Sequence, residues 1–217
     1  MPRPLSKKIL ATTHGESEAL REHILEVALR VIQREGLAEA STRTIAKEVG
    51  IATGTLYNYF DDRLQLLAQT ILRRIYLLSL PLANHALHVG KRSVASNLHD
   101  FVRHSALVMD ELVPLIASVF SETELLQALR KEMTSTDAAF NPGQALEEYL
   151  IAERELGRIA SHIDCAAVAS TVVSICHDHA FHRYLLGDMS KNESNLEEID
   201  FIADAIVSSD SLERKDY

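Results

Sequence analysis

The sequence predicts an all-α protein, and three observations carry that expectation. Leu, Ala, Ile and Val recur at three- and four-residue spacing through most of the 217 residues, the period of amphipathic helices. Glycine and proline, at 8 and 5 residues, are too sparse for a chain built on the turns between strands. Apolar residues make up 47% of the chain, enough to fill one large or two modest cores. No apolar run approaches the ~20 residues that a membrane-spanning helix needs.

Residues 1–17 read as a basic, polar and flexible tail carrying Arg3, Lys7 and Lys8. A first helix follows from about Glu18 to Glu35. Leu20, Ile24, Val27, Ala28, Val31 and Ile32 form its apolar stripe, and Gly36 stands just past its end. The stretch Ser41–Phe60, STRTIAKEVGIATGTLYNYF, divides into two short helices around a tight turn. Ser41 suits the first helix as a cap, because its hydroxyl can accept from the free N–H groups of the opening turn. Ile45, Ala46 and Val49 share an inward face, Gly50 ends the helix in the left-handed conformation, and Ile51 anchors the turn. The second helix is expected from about Ala52 to Tyr59, with Leu56 and Phe60 buried at i, i+4 spacing. Its other side offers Thr53, Gly54, Thr55, Tyr57, Asn58 and Tyr59. Hydroxyls can donate to phosphate oxygens, amides can read base edges, and a glycine lets DNA come close. Cap, glycine, apolar spacing and polar face together specify a helix-turn-helix DNA reader.

Asp62 opens a fourth helix in which Leu64, Leu67, Ala68, Ile71, Ile75 and Leu78 keep helical spacing, and Pro81 is expected to end or kink it. A helical bundle is expected beyond. Its parts are a helix over 91–109, a short apolar segment from Pro114 to Phe120, and a helix to about Met133 opened by a Ser121–Glu124 capping box. A loop over 134–143 leads to a helix from Gln144 to Leu156, stopped by Gly157. Asp164 caps a long helix reaching Leu186, and a last helix ends near Val207. The expected organisation is therefore a tail (1–17), a DNA-binding domain (18–62) and a C-terminal domain (63–217).

The run from Leu20 to Leu67, with IAKEVGI, GTLYNYF and the entry into the fourth helix, resembles the tetracycline-repressor (TetR/AcrR) family of bacterial regulators. The resemblance implies that Ser41, Arg43, Thr53, Gly54, Thr55, Tyr57, Asn58, Tyr59 and Arg63 face DNA. Arg63 stands where the family usually carries a phosphate-touching lysine. Two departures are visible: Ala52 replaces a capping serine, so that Thr53 becomes the alternative cap, and Asp61 and Asp62 place negative charge before Arg63. The resemblance also implies a double-stranded operator, a small-molecule effector in the C-terminal bundle, and a homodimer. The helices at about 164–186 and 195–207, rich in small residues, would pair with their copies. Leu107, Met109, Leu112, Leu115, Phe120, Tyr149, His177 and Phe181 are candidates for lining the effector pocket, since methionine and aromatics suit an adaptable apolar site.

The net charge of −9 argues against a nonspecific DNA coater; the positive charge offered to DNA is local, on the tail and at Arg43, Lys47 and Arg63 around the motif. Cys176, His179 and His182 lie at one-turn spacing and suggest a metal-sensing alternative, although no second matching pair completes a four-ligand site. Enzyme readings lack a Gly-rich phosphate loop, a nucleophile elbow and an HExxH pair. No cofactor is expected, and a helical metal-binding protein or enzyme stands as the alternative from another class. Two cysteines and the lack of an apolar leader at the N-terminus lead to the expectation of a cytoplasmic location. The function expected is that of a one-component transcription regulator, a repressor released from a palindromic operator by its effector.

Overall fold

The computed structural model describes residues 7–83, 88–135, 142–187, 200–201 and 204–205. These residues form α1 (Lys7–Glu35), α2 (Thr42–Val49), α3 (Thr53–Leu56), α4 (Arg63–Ala83), α5 (Val94–Phe120), α6 (Thr123–Ser135), α7 (Pro142–Glu155) and α8 (Cys165–Leu186). No β-strand occurs among the described residues, so the protein is all-α as expected. The chain groups into two compact units. The first takes the described residues up to Ile75 and those from Ser118 through α6; the second takes Tyr76–Ala117 and the residues from α7 onward.

The first unit is built on the stripe of α1. Ile24, Val27, Ala28 and Val31 are buried, as are Ile45 and Ala46 of α2, Leu56 and Phe60 around α3, and Leu66, Leu67, Ala68 and Ile71 of α4. Polar straps run over this core. Arg34 donates to Glu48 at 2.6 Å, joining α1 to α2, and holds the Glu48 carboxyl below its usual range. Arg73 reaches Glu22 and Glu26, joining α4 to α1. Arg21 donates to the Gln69 side chain at 2.7 Å, and Gln69 donates to Glu132 of α6 at 2.9 Å. Gln65 donates to the other Glu132 oxygen at 3.3 Å. Membership of α6 in this unit follows from those bonds together with buried Leu125 and Leu129.

In the second unit the core comprises Val94, Leu98, Phe101 and Val102 of α5, Leu146, Tyr149 and Leu150 of α7, and Ala169, Val172, Cys176 and Ala180 of α8. One polar knot sits inside it. Asn97 donates to the Tyr149 hydroxyl at 2.8 Å and to the Lys91 carbonyl at 3.0 Å. Burial pushes the Tyr149 phenol up, outweighing the Asn97 hydrogen bond, which lowers it. Glu153 has no exposed surface; it accepts from the Gly90 amide at 3.1 Å and pairs with Arg158 at 3.0 Å. Arg158 also donates to the Arg92 carbonyl, so α7 and the loop before α5 are held by one ion pair.

Several boundaries differ from expectation. α1 begins at Lys7, so it takes in residues read as tail. α4 continues through Pro81 to Ala83, and α5 continues through Pro114, merging two expected segments. Both prolines are on exposed positions, where solvent is accessible to the carbonyl that loses its helical donor, while buried Leu82, Leu112 and Val119 hold the neighbouring turns. The Ser121 hydroxyl donates to the Ser118 carbonyl instead of capping α6, which starts at Thr123. Asp164 does cap α8, accepting from the Ala167 amide at 3.1 Å, and Gly157 has φ 72° just after α7. Most of the expected last helix lies outside the described residues. Among the described residues no helix is long and apolar enough to cross a membrane.

Breaking the buried pair is the expected weak point of the second unit. Arg158→Met should lower unfolding free energy by about 3 kcal/mol, because buried Glu153 loses its charge partner and keeps only the Gly90 amide. A urea midpoint unchanged from wild type would contradict that role.

Candidate nucleic-acid interface

Local chemistry fixes α2 at both ends. Ser41, in extended conformation at φ −86° and ψ 153°, accepts from the Thr44 amide at 3.1 Å, and its hydroxyl also meets the Thr44 hydroxyl at 2.9 Å. Gly50 adopts φ 82°, a backbone conformation costly for any residue with a Cβ. Its amide bonds to the carbonyls of Ala46 and Lys47, and the Ile51 amide returns to Ala46 at 3.0 Å. That double closure is the Schellman pattern, and it turns the chain sharply into α3.

α3 itself is shorter than expected, a single turn over Thr53–Leu56. Ala52 holds the cap position without a side-chain bond, and Thr53 is the first helical residue, so neither caps with a side chain. The chain then tightens: the Asn58 and Tyr59 amides bond back to Thr55 and Leu56 at three-residue spacing, while the Phe60 amide reaches Leu56 at 3.0 Å. Absence of a cap, a glycine inside the turn and the poor helix formers Tyr57 and Asn58 account for the early end. Buried Leu56 and Phe60 nevertheless fix which way the segment faces. The Arg21 guanidinium lies 5.6 Å from the centre of the Phe60 ring, a cation–π contact on the same anchor.

The outward residues are therefore those the motif put there. Arg43, Gly54, Tyr57 and Asn58 are exposed, and Ser41, Thr53, Thr55 and Tyr59 are half-buried. A Cβ built on Gly54 would meet nothing within 4 Å, so the protein's own packing does not require glycine there. Lys47, not included among the site residues, is exposed one turn after Arg43 and adds a second cation to the same edge of α2. Its i, i+4 spacing from Arg43 was the available signal.

Arg63 is placed differently. Its Nε donates to the Ala40 carbonyl at 2.9 Å, and its Nη2 donates to Leu37 at 2.8 Å and Ala38 at 3.3 Å. Nη1 lies 4.0 Å from Glu122. Asp62 accepts from the Gln65 amide at 2.8 Å and so caps α4, while the Asp61 amide donates to the Gln65 side chain.

The pocket candidates do not come together. Leu112 and Tyr149 are core residues, Leu107, Phe120, His177 and Phe181 are exposed, Met109 and Leu115 are half-buried, and Phe120 belongs to the first unit. Apolar type alone could not distinguish core, surface and pocket. An open groove of about 690 Å³ instead lies between α7 and α8, lined by Gln144, Glu147, Glu148, Ser170, Ser174 and His177 among others.

The metal-sensing alternative is corrected. Among the described residues no three His, Cys, Asp or Glu side chains converge to hold a metal. Cys176 faces the core, where burial pushes its thiol up to about 11 despite a hydrogen bond with Ser105. A thiol so placed resists forming the thiolate that a metal needs. His182 is exposed, bonded to its own helix through the Asp178 carbonyl at 3.0 Å, with the Asp178 carboxylate at 3.3 Å.

Comparison with known proteins agrees with this geometry. Residues 24–70 match the family model described as bacterial regulatory proteins, tetR family. The chain is 37% identical over 57 residues to the HTH-type transcriptional regulator AcrR of Shigella flexneri, covering 26% of each protein. It thus spans about a quarter of the length of such curated relatives. The fold is similar to that of a TetR-family regulator from Mesorhizobium loti, with TM-score 0.69 at 18% identity, covering 87% of this chain and 95% of that one. It is also similar to a regulator from Saccharomonospora viridis solved with choline, with TM-score 0.65 at 23% identity, covering 88% and 99%. The motif and the family match agree: residues 24–70 carry a helix-turn-helix domain of the tetracycline-repressor type, and the all-helical fold is similar to those of solved regulators of that kind.

Proposed function

We propose that this protein is a cytoplasmic, homodimeric transcription repressor that reads a palindromic DNA operator and is released by a small-molecule effector. The observation that carries the DNA reading is Gly54. It costs α3 helix propensity, yet the space where its side chain would stand is empty and exposed. A partner approaching from outside gives that glycine a use. Around it stand Tyr57, Asn58, Thr53, Thr55 and Tyr59, with Ser41 and Arg43 at the opening of α2. Phosphate contacts by the hydroxyls would set register, and Asn58 and Arg43 would read base edges. Local positive charge on a chain of net charge −9 favours a site-specific reader over nonspecific binding.

Dimerisation supplies the second reader. The outward face of α8 presents Ala166, Ala167, Ser170, Thr171 and Ser174, small side chains that permit close helix approach. Pairing of this face, together with the helix expected at about 195–207, would place two readers ~34–36 Å apart on successive major grooves. The effector would act from the second unit by binding the DNA-incompetent arrangement more tightly, since only differential affinity shifts a population. The S. viridis regulator shows that a protein of this fold can hold a small cation such as choline.

Fluorescence anisotropy with DNA from upstream of its own and neighbouring genes, at two salt concentrations, tests the function. A preference for one fragment that survives higher salt is expected; equal weak binding to all fragments contradicts it. Gly54→Ala should stabilise the free protein by about 0.5–1 kcal/mol while weakening operator binding, and unchanged binding would remove Gly54 from the interface. Arg43→Ala should cost about 1–3 kcal/mol of operator affinity, and Tyr57→Phe should weaken binding through its lost hydroxyl. Ser174→Arg should convert the dimer to monomer by sedimentation; an intact dimer would move the interface elsewhere.

A further inference from the structure

The Arg63 guanidinium has five donors in a fixed fork. Three of them are committed to the carbonyls of Leu37, Ala38 and Ala40, the connection between α1 and α2. The Ala40 carbonyl immediately precedes Ser41, the cap of α2, and Arg43 follows two residues later. Leu37 and Ala40 are themselves buried, so two of these part-buried bonds tie Arg63 to residues anchored in the core of the first unit. The remaining nitrogen faces the Glu122 carboxylate at 4.0 Å, and Asp61 and Asp62 lie just before Arg63 in sequence. With three of its five donors committed to carbonyls and a carboxylate facing the remaining nitrogen, this guanidinium has little left to offer a phosphate.

We propose that Arg63 is a positioning residue that sets operator reading from inside the protein, by fixing the α1–α2 connection and so the first turn of α2, and that it is not a phosphate contact. This rests on the DNA-binding function above. Lysine cannot replace it, since a single ammonium does not reproduce a fork that spans three carbonyls on one plane.

The test compares wild type, Arg63→Lys and Arg63→Gln for an operator duplex and a scrambled duplex across a salt series, at a temperature where circular dichroism shows all three folded. Both variants should bind the operator roughly fivefold or more weakly, with scrambled-DNA affinity and the salt slope of Arg63→Lys unchanged. A phosphate contact would behave otherwise: Arg63→Lys would retain affinity, and Arg63→Gln would weaken both duplexes and lower the slope by about 0.9. Folded variants that bind like wild type would also overturn the proposal, leaving Arg63 a stability residue only. Hydrogen exchange gives a readout independent of DNA. The Thr44 amide, held by Ser41, should exchange faster in Arg63→Lys while amides of Leu67–Ile71 in α4 keep their wild-type rates. Equal exchange at Thr44 overturns the positioning role, whereas wild type lacking any DNA preference would instead strike at the function itself.

Discussion

The turn at Gly50 is the constraint on which the reader depends. Its left-handed backbone lets two successive amides, of Gly50 and Ile51, fold back onto the carbonyls of Lys47 and Ala46. A side chain at that position would oppose the conformation, and a changed exit angle would carry α3 away with it. Because Leu56 and Phe60 must still reach the core, the angle also decides which residues remain outside. The exposed set of Gly54, Tyr57 and Asn58 is thus a consequence of one backbone conformation and two apolar anchors.

That arrangement places unequal demands on its parts. α3 has one turn, no side-chain cap and a glycine inside it, so it has little helical stability of its own. Its shape is imposed by neighbours: α2 through the turn, and the core of the first unit through Leu56 and Phe60. α2, by contrast, is capped at both ends and strapped to α1 by Arg34 and Glu48. A stiff α2 carrying a short, externally shaped α3 leaves the polar face free of internal bonding duties. The same logic sets Arg63 apart, since its side chain serves the α1–α2 connection.

Features set by neighbours in sequence were legible. The Ser41 cap, the Gly50 stop, the Asp62 cap of α4 and the Asp164 cap of α8 each depend on atoms within a few residues, and each is present. So is the apolar stripe of α1. Features set by distant partners were not. Nothing local tells that Pro81 and Pro114 fall on exposed faces of helices held by buried residues around them. Nothing local sends the Arg63 fork to carbonyls 23 to 26 residues away, or brings Glu132 to Gln65 and Gln69. The pocket residues failed for the same reason, because Tyr149 and Phe181 are alike in sequence terms but one is in the core and the other on the surface.

In the proposed function, two helix-turn-helix domains of a dimer meet DNA together as a symmetric pair. Selection of binding sites from a random duplex library by the purified protein tests it most directly. A symmetric pair should enrich an inverted repeat whose half-site centres lie about one helical turn, or a multiple, apart. Enrichment of single, unpaired half-sites would contradict the symmetric pair, and no enrichment above the starting library would contradict sequence reading altogether.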